Sequence, residues 1–403
     1  MKNPRVLVSG ASIGGPAVAY WLNRFGFDVT VVEKADSIRT GGQAVDFKGP
    51  VHHDVLKRMG ILDDVMAANV PNADGITVNA KGRKVGTIPG EFAGGEINVP
   101  RGDLATILYR LTADEARYIF GDSITSLTET DTGVDVTFLH TPAQTFDIVI
   151  GADGMHSNVR ALAFGPEEDY VHHLGYYYVL AGLETGEDDI MYNEPGRMAA
   201  IGSTKAPAFF VFASELLPPA RDDIALQKQQ AVDALSGGQW RLPELVAQIP
   251  HAEEFFMDSI SRATLDHYSN GRVVLVGDAA YGNALGGFGT GLALVGAYVL
   301  AGELAKANGA HTQAFLAYEN KIRDYAAISQ KVNAGRLMAP RTRYGIVLRN
   351  LLFSSLSFAG PLMKVIDRPA TNIELEDYTP LAVLHSSRAS ADDRGDSFPT
   401  WGS

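Results

Sequence analysis

Three short segments hold residue types at spacings that could bind a nucleotide. Gly10-Ala11-Ser12-Ile13-Gly14-Gly15 follows the apolar run Arg5 to Ser9 and opens a helical pattern. There Gly10 permits a tight turn, backbone N–H groups can approach a pyrophosphate, and Gly15 lets the helix pack on the strand. Ser12 stands where the usual fingerprint has its middle glycine, and its hydroxymethyl can point away from a phosphate or donate to it. Glu33 closes a second apolar strand 23 residues after Gly10, where a carboxylate accepts from ribose hydroxyls, and Lys34 follows it. The second segment, Gly151-Ala152-Asp153-Gly154, continues to Ser157 and Arg160. The third, Gly277-Asp278-Ala279-Ala280, leads through Gly287, Gly289, Thr290 and Gly291 into a helix. Asp278 lies at the carboxyl end of a buried-strand pattern, where open α/β sheets place their ligands. An acid there can accept hydrogen bonds from a polyol, and the helix start offers N–H donors.

Composition narrows the chemistry. With 403 residues, 46% of them hydrophobic and 20% charged, the chain has material for two or three cores of an ordinary globular protein. Lys plus Arg number 34 and Asp plus Glu 47, a formal charge of −13 whose field repels nucleic acid. Cysteine is absent, which excludes disulfides, a thiolate nucleophile, a Cys-ligated cluster and a redox Cys-x-x-Cys pair. His52-His53 and His172-His173 are adjacent pairs whose side chains diverge on a strand or a helix, so no metal site is expected. Met1 to Pro4 leads directly into a strand, and the cytoplasm is the expected compartment. Ala279 to Gly302 carries no charge, but its seven glycines and loop-like first half mark a buried helix from Leu292 to Leu304 rather than a membrane span.

The elements that must position these segments are legible as buried runs and periodic stretches. Arg5 to Ser9, a helix from Gly14 to Phe25 and Asp28 to Glu33 make a β-α-β unit. Val51, Val55, Leu56 and Met59 share one helical face that Gly60 ends. Gly75 to Ile88 reads as a hairpin turning at Lys81-Gly82, and Asp103 to Leu111 as a helix. Ser123 to Glu129 and Gly133 to His140 alternate around Thr130-Asp131-Thr132, another hairpin. Phe146 to Ile150 and Arg272 to Val276 are further buried strands. Residues 171–264 mix strands and helices as a separate sheet layer, and helices dominate from Leu292 to Ile366. The expected division is a cofactor domain from 1–72, 101–170 and 265–330; a substrate domain from the 73–100 hairpin and 171–264; helices at 331–370; and a tail at 371–403 with a frayed end.

In order and spacing, the three segments resemble the single-component (class A) FAD-dependent aromatic hydroxylases, whose prototype is the p-hydroxybenzoate hydroxylase fold. In length the chain is similar to the tetracycline-inactivating and antibiotic-pathway flavin monooxygenases. The resemblance implies an α/β fold: a Rossmann-like FAD-binding domain, a second mixed β-sheet substrate domain and a C-terminal helix. It implies that Asp278 meets the ribityl chain and that Asp153 lies near the pyrophosphate. Arg101, in Pro-Arg-Gly-Asp-Leu, matches the family's flavin-contacting arginine. Gly41-Gly42-Gln43-Ala44-Val45-Asp46 resembles the stretch that passes beside the isoalloxazine ring, with Arg39 just before it.

The implied reaction starts when NADPH or NADH, visiting transiently, reduces FAD. O₂ then adds to give the flavin C4a-hydroperoxide, and one oxygen atom enters an aromatic or polycyclic small molecule by hydroxylation or Baeyer–Villiger attack. A flavin dehydrogenase or reductase on the same scaffold, and a flavin-binding module without turnover, are the alternatives, and a homodimer is left open. The third segment departs from the family pattern, carrying Tyr281, Gly282 and Asn283 without a proline. The middle sheet should roof the substrate. Tyr176, Tyr178, Tyr192, Arg197 and Phe210 are the candidate contacts, with Tyr177 pointing away from its two neighbours.

Overall fold

A computed structural model describes residues 3–39, 41, 43–71, 75–88, 95–186, 189–202, 207–221, 223–356 and 373–382. Its first sheet has six strands in the order Ser269–Asn270, Val273–Leu275, Ile148–Gly151, Arg5–Ser9, Asp28–Glu33 and Arg117–Phe120. Every pairing is parallel except that of the Ser269–Asn270 edge. Ser9 stands opposite both Gly151 and Val32, and Gly151 opposite Leu275, so the strands finish level with one another. The interior side chains Val6, Leu7, Val8, Val31, Val149, Ile150 and Val274 are fully buried, as befits a parallel sheet covered on both faces.

The helix Gly289–Lys306 is buried on all sides from Gly291 to Leu304 and packs on the helix Gly14–Arg24. That burial accounts for the uncharged stretch: no helix among the described residues is long and apolar enough to cross a membrane. Val51, Val55, Leu56 and Met59 do share the buried face of the helix Gly49–Met59, and Gly60 ends it with a left-handed φ of 74°.

The second sheet has seven strands, in the order Phe255–Ala263, Val171–Ala181, Ala208–Ala213, Arg197–Ile201, Ile190–Glu194, Gly75–Val78 and Lys84–Ile88. The hairpin formed by the last two joins through a parallel pairing of Gly75–Val78 with Ile190–Glu194. Helices Ile224–Leu235 and Leu242–Gln248 cover one face of this sheet, burying Tyr177, Val179, Phe210 and Phe212. The other face carries Tyr176, Tyr178, Met191, Phe209 and Val211 and meets Ala284, Leu285 and Met338. Two strands, Ala44–Phe47 and Ile97–Pro100, form a separate ribbon.

At the carboxyl end, Arg349 of the helix Arg343–Leu356 binds the Met338 carbonyl at 2.9 Å and Asn193 of the second sheet at 2.8 Å. Residues 373–382, assigned to a tail on sequence, return to the first core. Tyr378 is 1% exposed, and the Glu376 carbonyl accepts from Tyr298 at 2.8 Å. Lys321 ties Glu303, Glu376 and the Tyr378 hydroxyl together at 2.6, 2.6 and 2.9 Å.

The Tyr378 ring lies so close to Gly302 that a Cβ there would sit 2.2 Å from it. Gly302→Ala should therefore expel the ring and cost about 1–3 kcal/mol, the scale of an overpacked core. An unchanged urea midpoint would show that this docking contributes nothing to stability.

Candidate active site

All three glycine-rich segments lie at the carboxyl edge of the six-stranded sheet. Gly10 has φ of 102°, and a Cβ there would fall 2.6 Å from the Ala152 carbonyl oxygen, so the first loop presses against the second. Glu33 fastens that loop: its two oxygens accept from the Ala11 and Ala35 N–H groups at 2.8 and 2.9 Å. A carboxylate has about four acceptor sites, so two remain for a ribose. Ile13 caps the helix Gly14–Arg24 without a side-chain bond, and no acid lies in its first turn. Its free N–H groups and dipole therefore favour an anion. Ser12 Oγ accepts from Arg101 Nη2 at 3.2 Å, which leaves the hydroxyl hydrogen to donate.

The second segment is a brace. Asp153 accepts from Ser157 Oγ at 2.5 Å and the Val159 N–H at 3.0 Å, with Ser9 Oγ at 3.4 Å. Burial pushes its pKa up, and the Ser157 and Val159 hydrogen bonds oppose the rise. These bonds tie Asp153 to its own loop, directly against Gly10 of the first segment. Arg160, fully buried, donates to the Met155 carbonyl at 2.6 Å and to the Ala279 carbonyl at 2.9 Å, fastening the second segment to the third. His156 sits between Glu167 and Asp258, 3.0 Å from each. Burial works against its charge, but hydrogen bonds to Asp258 and Glu167 prevail and hold its pKa at about 9. It is thus an imidazolium that fastens the first domain to strand Phe255–Ala263 of the second.

The third segment contains the free acid. After Gly277, at φ of 66°, Asp278 opens into the cleft with no hydrogen bond or ion pair to any described residue. Protein encloses it on its other sides and raises its pKa, while Arg101 lowers it. Gly289 approaches so closely that its Cβ would lie 3.4 Å from the Asp278 carboxylate. In this loop, which lacks the proline of the family pattern, Asn283 donates to the Ser329 and Val332 carbonyls at 2.6 and 2.9 Å. Leu285 takes φ of 58°, a conformation costing about 1–2 kcal/mol for a residue with a Cβ. Gly287 is exposed, Thr290 half-buried, and Gly291 is seated on the ring of His52, 2.0 Å from where a Cβ would be.

His52 was not expected here. Its Nδ1 accepts from the Lys48 N–H at 3.0 Å, so the neutral ring carries its proton on Nε2, facing the Tyr325 hydroxyl at 2.9 Å. Burial, then the neighbouring His53 and Lys48, lower its pKa to about 4. No sequence spacing signals a pairing of His52, Tyr325 and Gly291 across three elements.

Arg101 begins the helix Arg101–Thr112, and its N–H meets the Gln43 carbonyl at 3.2 Å. Asp46 lies on the adjoining ribbon, its pKa raised by burial against the pull of Lys48 and a Gly95 hydrogen bond. Lys34 and Arg39 are exposed, and Gly42 lies outside the described residues.

Of the five expected substrate contacts, the structure leaves one open to the cleft. Tyr192, Arg197 and Phe210 belong to the opposite face, because the strand pleat alternates. Tyr192 donates to Glu194 at 3.0 Å, Arg197 to the Ala234 carbonyl at 2.8 Å, and Phe210 is packed beneath the helices. Tyr176 is on the right face but roofed by the helix Ala334–Met338, with Gly335 against its ring. Tyr178 remains, joined by Phe209, Phe256 and Met191. Among the described residues no cluster of three or more His, Asp or Glu could hold a metal.

Asp278 is an unpartnered carboxylate beside two free helix starts, which fits a polyol-linked dinucleotide. Asp278→Ala should leave largely flavin-free protein whose own stability is unchanged, since the carboxylate opens into the cleft and has no partner among the described residues. Normal flavin retention after gel filtration would remove Asp278 from the site. His52 predicts an acid limb. The unfolded chain takes a proton near pH 6.5 and the folded protein near 4. Its stabilising contribution is therefore present above pH 6.5 and lost as pH falls toward 4, about 3 kcal/mol in all. His52→Gln should flatten that limb in urea titrations at pH 4 to 7, and an identical slope would count against the neutral buried ring.

Comparison with known proteins agrees with this geometry. The family described as "FAD binding domain" matches residues 3–331. A flavin-dependent monooxygenase of Legionella longbeachae is 36% identical over 344 residues, 82% of this chain and 88% of that protein. The crystal structure of tetracycline destructase Tet(55) superposes with a TM-score of 0.78 at 32% identity, covering 94% of this chain and 99% of the other. The structure of Klebsiella pneumoniae HpxO complexed with FAD and uric acid shares the fold, with a TM-score of 0.67 at 19% identity over 94% of this chain and 98% of that one. With the parallel sheet, the three converging loops and the free acid at their junction, these likenesses place the chain in the FAD binding domain family, as a class A FAD-dependent monooxygenase.

Proposed function

We propose that the protein takes electrons from NADPH or NADH and inserts one atom of O₂ into an aromatic or polycyclic small molecule held between the cleft and the second sheet. The observation that carries this reading is the aromatic face of Tyr178, Phe209 and Phe256, turned toward the loop that follows Asp278. Flat apolar walls with few polar groups suit a planar ligand. Bound FAD would supply the redox and oxygen chemistry, and the chain's own residues bind, orient and exclude water.

In this reading the loop from Gly10 to Gly15, with Ser12 and Arg101, holds the pyrophosphate at the start of the helix Gly14–Arg24. Glu33 takes the ribose and Asp278 the ribityl chain. Lys34, Arg39, Gly42 and Asp46 complete the cofactor's surroundings as expected from sequence. The N–H groups of Gly289, Thr290 and Gly291 open an uncapped helix, whose dipole favours negative charge on the reduced ring. His52 and Asn283 hold that loop in place. The destructase similarity favours polycyclic compounds and antibiotics among candidate substrates.

The test is aerobic NADPH and NADH oxidation by the purified yellow protein under ¹⁸O₂, with tetracycline, urate and simple phenols offered in turn. Oxidation accelerated by one compound, with a single ¹⁸O in its product, is the expected outcome. Accelerated oxidation yielding only unlabelled product would make the protein a reductase, and indifference to every aromatic compound would overturn the substrate class.

A further inference from the structure

The proposed site leaves the Tyr178 hydroxyl on the aromatic face without a task. Asp258 and Asn193 share that face and are engaged, Asp258 by His156 and the Ser259 N–H, Asn193 by the Met338 carbonyl and Arg349. Tyr178 has its ring held between Phe209, at 6.3 Å and 62°, and Phe256, at 5.7 Å and 50°. Its hydroxyl makes no hydrogen bond to any described residue. Tyr177, one position earlier and on the other face, does: its hydroxyl accepts from the Leu217 N–H at 2.9 Å. The two tyrosines thus differ in what the fold has done with the same group.

The surroundings of Tyr178 locate its hydroxyl. Asp258 stands opposite it in the strand register, and Leu285 of the third loop belongs to the same cluster. Burial, then Asp258, raise its pKa, Arg101 lowers it and Asp278 raises it again, so the phenol stands within the field of the cofactor-facing residues. It stays protonated through the neutral range and is a donor there, not a base.

We propose that Tyr178 is a specificity-determining residue, its hydroxyl donating a hydrogen bond to a ring oxygen of the substrate bound between the second sheet and the cofactor. The inference rests on the functional reading above and narrows it to hydroxylated or oxo-substituted aromatic rings. A bare hydrocarbon of the same shape fills the apolar walls but leaves an enclosed hydroxyl unpaired. Sites built around such a group reject ligands that lack its partner more strongly than apolar pockets reject a missing methylene.

The experiment measures binding of 2-naphthol and of naphthalene to the oxidised holoenzyme from the perturbation of its flavin absorption. Wild-type protein and Tyr177→Phe should prefer 2-naphthol by about 10-fold or more, and Tyr178→Phe should bind both alike while keeping full flavin content. The phenylalanine retains the packing against Phe209 and Phe256, and flavin content with the melting temperature verifies the fold. An undiminished preference in Tyr178→Phe overturns the proposal while leaving the substrate face intact. Loss of flavin from the folded variant also overturns it, by assigning the hydroxyl to the cofactor. A wild-type spectrum that neither probe perturbs overturns the functional reading and this inference with it.

Discussion

The level finish of parallel strands is the constraint on which the rest of this molecule depends. Arg5–Ser9, Asp28–Glu33, Ile148–Gly151 and Val273–Leu275 pair in one direction with Ser9, Val32, Gly151 and Leu275 aligned across the sheet. Segments more than a hundred residues apart therefore leave the sheet side by side. Parallel pairing needs covering helices on its faces, and the starts of two of them, at Gly14 and Gly289, then point to the same edge. An anion-binding edge follows from backbone geometry before any side chain is considered.

Onto that edge the protein places groups of two kinds. Asp153, Arg160, Asn283 and His52 are hydrogen-bonded inside the protein and serve to hold loops. Asp278 and the two helix starts have no protein partner and open to the cleft. A ligand that supplies hydroxyl donors and an anion completes their hydrogen bonding on binding. The neutral His52 belongs to the same economy of charge: it lies beneath a helix start that disfavours a cation, and its neutrality leaves that start's field for the ligand.

The two sheets are joined by polar contacts as well as packing. His156 reaches from the second glycine segment to Asp258 on the second sheet, and Arg349 links the C-terminal helix to Asn193. His156 therefore ties the roof over the cleft to its floor, and Arg349 ties the C-terminal helix to the roof. Such anchoring keeps the aromatic face at a set height above the edge of the first sheet, the fixed geometry that positioning a reactant demands.

The sequence by itself determined the first sheet and the place of its loops. Short apolar runs ending in glycine or acid are strong local signals, and Gly10, Glu33 and Asp278 all stand at the cleft edge where their spacing put them. The hairpin at Lys81-Gly82 and the buried helix after Gly291 were legible for the same reason. Tertiary structure alone decided which aromatic residues face the cleft. Period-two alternation says that Tyr177 opposes Tyr176 and Tyr178, but not which face the helices cover, so Tyr192, Arg197 and Phe210 were assigned to the wrong side. It also decided that His52 supports Gly291. That role arises from contacts between residues distant in the chain, whose partners leave no mark on local pattern.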